Sequence, residues 1–208
     1  MDEAINGFPV TAVGRLFSAS LIYGAILCGI ATALVISDLL GGEKVDVHKI
    51  VQTEYPTWLL VVLVGVAIVA GAVTEQSALR LLLPTAGIAV GGYLVMLLAE
   101  SIGLGDRATP ALVATVIGFA ARFAADKLRS PQLVLAAPAV MFLLPGLMIF
   151  RAMYGIVINV DETAAGLVEM FNAMAIMLSI AGGVVFGDTL CRPLTSNARR
   201  ERRRIRRR

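Results

Sequence analysis

The stretch AAGLVEMFNAMAIMLSIAGGVVFGDTL, residues 164–190, holds two carboxylates, Glu169 and Asp188, and no proline, histidine or cation. It exceeds the roughly 20 apolar residues a helix needs to cross hydrocarbon. Working back towards the N-terminus, further apolar stretches occupy about residues 131–150, 109–125, 81–99, 57–73 and 16–40. A chain of 208 residues that is 58% hydrophobic cannot hide that much apolar surface in a soluble core. Lipid is the alternative solvent, and a helix satisfies its own backbone there. The expected fold is an all-α polytopic membrane bundle of about six transmembrane helices. Small residues recur every fourth position, at Ala175, Ser179, Gly183 and Gly187, at Gly87 and Gly91, and at Ala25, Gly29 and Ala33. Such stripes let helix backbones approach closely where lipid offers no hydrophobic gain.

The net charge of +3 conceals a division. Residues 192–208 hold nine Arg and one Glu, whereas the rest of the chain holds nine Lys/Arg and fourteen Asp/Glu. A basic run can serve as a nucleic-acid arm, but beside a hydrophobic span it more often retains the cytoplasmic side. No nucleic-acid partner is expected; attraction to anionic lipid headgroups is. With six spans, the cytoplasmic side then holds Arg15, Arg80, Arg122, Lys127, Arg129 and the tail. Lys44, Lys49, Arg107 and Arg151 fall outside. The domain reading is a cytoplasmic N-terminus at 1–15, a transmembrane bundle at 16–190 and an Arg-rich cytoplasmic tail at 191–208. No cleavable signal is expected at the start, because residues 1–14 are mildly polar and acidic.

Enzyme motifs are missing: there is no nucleophile elbow, no phosphate loop and no histidine dyad, and the sole histidine, His48, lies in a polar loop. No metal site and no cofactor are expected, and a disulfide between Cys28 and Cys191 is improbable on position. What remains are polar groups in apolar surroundings, which are functional candidates by default. Pro138 and Pro145 each remove a helical N–H and crowd the carbonyl four residues earlier, and Gly146 follows the second. The carbonyls of Val134 and Met141 are expected to lose their helical partners. Such a segment is either a kink or a broken helix of the kind transporters use for substrate. Arg151, at the outer end of this helix, either attracts an anionic group or snorkels to the interface. Glu169 and Asn172, three apart, share one face of the last span. The pair handles a proton or orients a substrate, or else Glu169 pairs statically with Arg151. At the inner side, Arg122 and Asp126 are four apart with Asp188 at matching depth, giving an inner gate or plain interfacial anchoring.

Residues 133–157, LVLAAPAVMFLLPGLMIFRAMYGIV, resemble the signature of the threonine/serine exporter family: a proline, then Leu-Pro-Gly, then an arginine followed by Gly or Ala and Met. Residues 169–190 resemble that family's last membrane helix. Residues 7–41, with Thr11, Ala12 and Arg15, resemble the stretch that joins its two halves; Ser18 stands where the family often carries an acid. The resemblance implies a bacterial cell-membrane exporter of threonine and serine, with about ten spans in two halves, driven by the proton gradient. It assigns 16–40 to the last span of the N-terminal half and 57–190 to the C-terminal exporter domain. It carries Pro138, Pro145, Gly146 and Arg151 over as motif positions. The large polar N-terminal portion and about four spans have no counterpart here. The chain is therefore expected to be a fragment, or one partner of a two-chain exporter, or a homo-oligomer. A non-transporting assembly subunit and an exporter of small carboxylates are the alternatives.

Overall fold

The structure, a computed structural model, describes residues 9–41, 55–105, 108–158 and 163–205. The loop with His48, the pair Asp106 and Arg107, the side chain of Arg15 and those of the arginine run lie outside the described residues or side chains. Among the described residues the regular structure is all helical. In order they form α1 (Pro9–Leu39), α2 (Thr57–Thr74), α3 (Leu79–Ser101), α4 (Ala108–Leu128), α5 (Gln132–Ala139), a 3-10 turn (Met141–Leu143), α6 (Gly146–Val157) and α7 (Thr163–Ile205). Among the described residues five helices are long and apolar enough to span a membrane, or six if α5 with its turn and α6, a pair bent by 53°, count as one broken span. This is a polytopic helical membrane protein.

The helix ends follow from local chemistry. Proline at 56 and 131 fixes φ at −61° immediately before α2 and α5. Besides α1, which runs into Gly41 at φ 73°, three helices stop on a left-handed residue that closes the end, Gln76 after α2, Gly103 after α3 and Arg129 after α4, with φ of 57°, 77° and 52°. Each stop returns an N–H across the end: Ser77 to the Ala72 carbonyl, Leu104 to Ala99 and Ser130 to Ala125. Of these three only Gly103 is a residue that takes this conformation without strain.

Two compact units emerge. One consists of Met1–Thr53 with Pro145–Met177, so it holds α1, α6 and the first part of α7. Here α1 packs on α6. A Cβ on Gly166 of α7 would fall 2.8 Å from the Ala152 carbonyl oxygen of α6, so this glycine permits close backbone approach. No described side chain of α1 is buried.

The other unit consists of Glu54–Leu144 with Leu178–Arg208. Its core is made of small side chains interleaved with a few large ones: Leu81, Ala121, Ala125, Leu135 and Ala136, flanked by Ile88 and Val184. Gly118, Gly183 and Gly187 bring α4 and α7 to backbone contact. A Cβ on Gly183 would lie 2.5 Å from the Ala111 carbonyl oxygen, and one on Gly187 would strike that of Thr115. The fourfold spacing in the last span thus marks a packing seam at Gly183 and Gly187. The equivalent stripes on α1 and α3 do not: Gly29, Gly87 and Gly91 face open space, and Ala175 is exposed. Instead α3 approaches α4 through Gly92, against Ile117.

Candidate functional site

Polar groups inside the spans are mostly satisfied by their own helix. The hydroxyls of Thr32, Thr85, Thr115 and Thr189 each donate to the carbonyl four residues earlier, at 2.7 to 2.8 Å. Against that background, four buried side-chain atoms among the described residues have no hydrogen-bond partner: Tyr23 Oη, Arg122 Nε, Arg151 Nε and Asp188 Oδ1.

One of the four, Asp188 Oδ1, lies within ion-pair reach of Arg122 through Nη1, while Arg122 Nε stays without a partner. Asp188 is 3% exposed. Arg192, one turn on, reaches its Oδ2 through both Nε and Nη2 at 2.8 Å. From α4, Arg122 Nη1 lies 3.4 Å from Oδ1. The Asp188 carboxylate is therefore shared by two guanidiniums, one of its own helix and one of the neighbouring helix. The thiol of Cys191, also buried, lies in the field of Arg122, Asp126 and Asp188. Asp126 is half-buried one turn beyond Arg122. Nearby, Lys127 Nζ stands 4.3 Å over the Phe123 ring, the geometry of a cation at the edge of an apolar face. Sequence reasoning counted Arg192 with the tail; its spacing of four from Asp188 was the available signal.

Span five is interrupted as the two prolines require, but differently in detail. Pro138 is fully buried inside α5 and supplies no N–H to the Val134 carbonyl. The Met141 carbonyl, expected to be free, accepts from the Leu144 N–H at 3.2 Å. A 3-10 turn tightens the chain by one residue and recaptures that carbonyl. The turn is held by packing: Phe142 meets Tyr93 edge to face at 6.0 Å between centroids, Leu143 is buried, and Met141 Sδ lies over Gly71. Leu144 is then extended, Pro145 has φ −81° and ψ 55°, and a new helix starts at Gly146.

Pro145, Gly146, Arg151, Glu169 and Asn172 belong to the same compact unit. Gly146 is exposed with open space around it. Arg151 sits on α6 beside the buried Ala152 and Met153, its Nε buried and unpartnered. Glu169 and Asn172 are half-buried, one turn apart on α7. Among the described residues no ion pair joins Arg151 to Glu169. Tyr23 on α1 is the member that sequence reasoning missed, because a tyrosine within an apolar span carries no pattern of its own. No group of three or more His, Cys, Asp or Glu among the described residues could hold a metal ion.

A sequence model described as a putative threonine/serine exporter matches residues 44–191. A probable threonine/serine exporter of Mycobacterium tuberculosis (strain ATCC 25618 / H37Rv) is 30% identical over 207 residues, which is 96% of this chain and 39% of that protein. A threonine/serine exporter of Corynebacterium glutamicum is 28% identical over 198 residues, 93% of this chain and 39% of the relative. The chain therefore spans about two fifths of the length of these relatives. No solved structure matches. With a match over most of its length, and with the broken proline span and polar last helix described above, the chain belongs to the threonine/serine exporter family.

Proposed function

We propose that the chain forms the C-terminal half of a proton-coupled exporter of threonine, serine or similar small amino acids in the bacterial plasma membrane, with its Arg-rich C-terminus in the cytoplasm. The observation that carries this reading is Arg151: a guanidinium N–H buried in an apolar span without an acceptor. An unsatisfied buried donor is unfavourable by about 1–3 kcal/mol, and a substrate carboxylate is the acceptor whose geometry a guanidinium fits. Pro138, Pro145 and Gly146 interrupt the segment that leads to Arg151, and Pro138 offers no N–H to the Val134 carbonyl. Glu169, with Asn172 one turn on, orients the substrate ammonium or carries the coupled proton. Arg122, Asp126 and Asp188 form the inner gate in this scheme. The names of the two relatives, a probable threonine/serine exporter and a threonine/serine exporter, support the substrate class.

The working unit includes a partner, either an N-terminal half or a second copy. Support comes from α1, an apolar helix with no buried side chain described. The same feature favours a second reading, a non-transporting assembly subunit whose partner holds the site. Threonine efflux from cells loaded with threonine-containing peptide decides between them, with this chain expressed alone or beside an N-terminal half from a relative. Arg151→Ala and Glu169→Gln are each expected to abolish efflux while membrane abundance stays unchanged. Lost abundance would favour packing over transport, and efflux of small carboxylates in place of threonine would reassign the substrate.

A further inference from the structure

The unit that holds α2–α5 has two unlike ends. At one, Arg80 opens α3 beside Leu81, and Lys127 and Arg129 flank Leu128 where α4 runs out. Leu81 belongs to the apolar cluster with Ala125 and Leu135, and Leu128 packs against it, so the three cations stand at the same end. At the far end of α3 is Glu100, with no cation beside it among the described residues. Arg80, Lys127 and Arg129 are exposed, and no ion pair among the described residues holds any of them. The carboxylates that could have done so are taken: Asp188 is held by Arg122 and Arg192, and Asp126 is engaged as well. Glu75, exposed after α2, still leaves the balance positive. Lys127 lies instead over Phe123, a ring half exposed on α4. Arg80 lies between Leu79 and Leu83, which are 83% and 81% exposed. Leu133, in the first turn of α5 beyond Arg129, is exposed too.

Each cation is thus set at the edge of apolar side chains that a spanning helix presents to lipid. A nucleic acid or free phosphate would meet the charge and leave those side chains in water. A phospholipid covers both, its phosphate on the cation and its chains on the leucines and Phe123. We propose that this end of the unit binds anionic phospholipid headgroups, each cation meeting its own, independently of the arginine tail. Such attraction acts cation by cation near a charged leaflet and needs no shared pocket. It does not depend on which substrate is transported.

The test compares spin-labelled phosphatidylglycerol with spin-labelled phosphatidylcholine at the surface of the full chain in phosphatidylcholine vesicles, by electron paramagnetic resonance. Replacing every arginine from 199 onwards with glutamine removes the share of the tail. In that background the chain is expected still to prefer phosphatidylglycerol. Arg80→Gln, Lys127→Gln and Arg129→Gln are each expected to lower the preference by about twofold to fivefold. Arg129→Gly guards against a folding defect, because glycine is at ease at φ 52° and the turn keeps its shape while the charge goes. It is expected to match Arg129→Gln. A preference abolished by neutralising the tail alone, or unchanged by the three glutamine substitutions together, would overturn the proposal. A preference removed by inorganic phosphate but not by chloride of equal ionic strength would overturn it in favour of a soluble anion.

Discussion

Asp188 takes its short hydrogen bonds from Arg192 and its longer contact from Arg122. Its side chain is 4% exposed, whereas those of Arg122 and Arg192 are 30% and 39% exposed. The carboxylate is thus the group that cannot find water, and the two cations can. Removing a partner from a buried pair is destabilising by about 3–5 kcal/mol when the remaining charge stays buried. Arg192→Ala is expected near the lower end of that range, because only the 3.4 Å contact to Arg122 would then remain. Arg122→Ala, which leaves the stronger partner in place, is expected to destabilise by about 1 kcal/mol. Thermal unfolding of the two variants in detergent gives the order. None of this ranking was legible from residue types: Arg122, Asp126 and Asp188 stood out as charges near apolar spans, but Arg192 was lost in a tail of like residues. Tyr23 was invisible for the opposite reason, being a residue that apolar spans accept without comment.

Elements were the most legible scale, because an apolar run of bilayer length admits few conformations. The last span was expected over 164–190 and the structure has helix from Thr163 onward; its continuation to Ile205 lies in polar sequence, where hydropathy gives no signal. The interruption of span five was legible from its two prolines, while the rescue of the Met141 carbonyl was not, since it depends on what packs against the turn. The same limit applies to the glycine stripes. Spacing identifies faces on which backbones can meet, yet only Gly183 and Gly187 have a neighbour there, with Gly118 opposite. Gly187→Val is therefore expected to collapse the membrane abundance of the chain, and Gly87→Ala to leave it unchanged, read by quantitative blot of membrane fractions. The helix ends supply a gain as well as losses. Gln76 holds φ 57°, a conformation unfavourable by roughly 1–2 kcal/mol for a residue with a Cβ. Gln76→Gly is expected to raise stability by about 0.5–1 kcal/mol after the entropy of the unfolded glycine is set against it, seen as a higher Tm.

At the scale of the molecule, the two cysteines occupy opposite circumstances. Cys28 on α1 faces outward midway along a membrane span, and Cys191 is buried. A thiol that faces lipid stays protonated, so in membranes both are expected to react slowly with N-phenylmaleimide. A rise in Cys28 labelling when an N-terminal half is co-expressed would show that α1 meets a polar face of the partner. The double hold on Asp188 bears on the gate proposed above. Its closest partner, Arg192, rides on the same helix, so a variant that loses the Arg122 contact keeps its carboxylate neutralised. If the proposed gate operates there, charge sets little of its cost, and the glycine seam between α4 and α7 sets the rest.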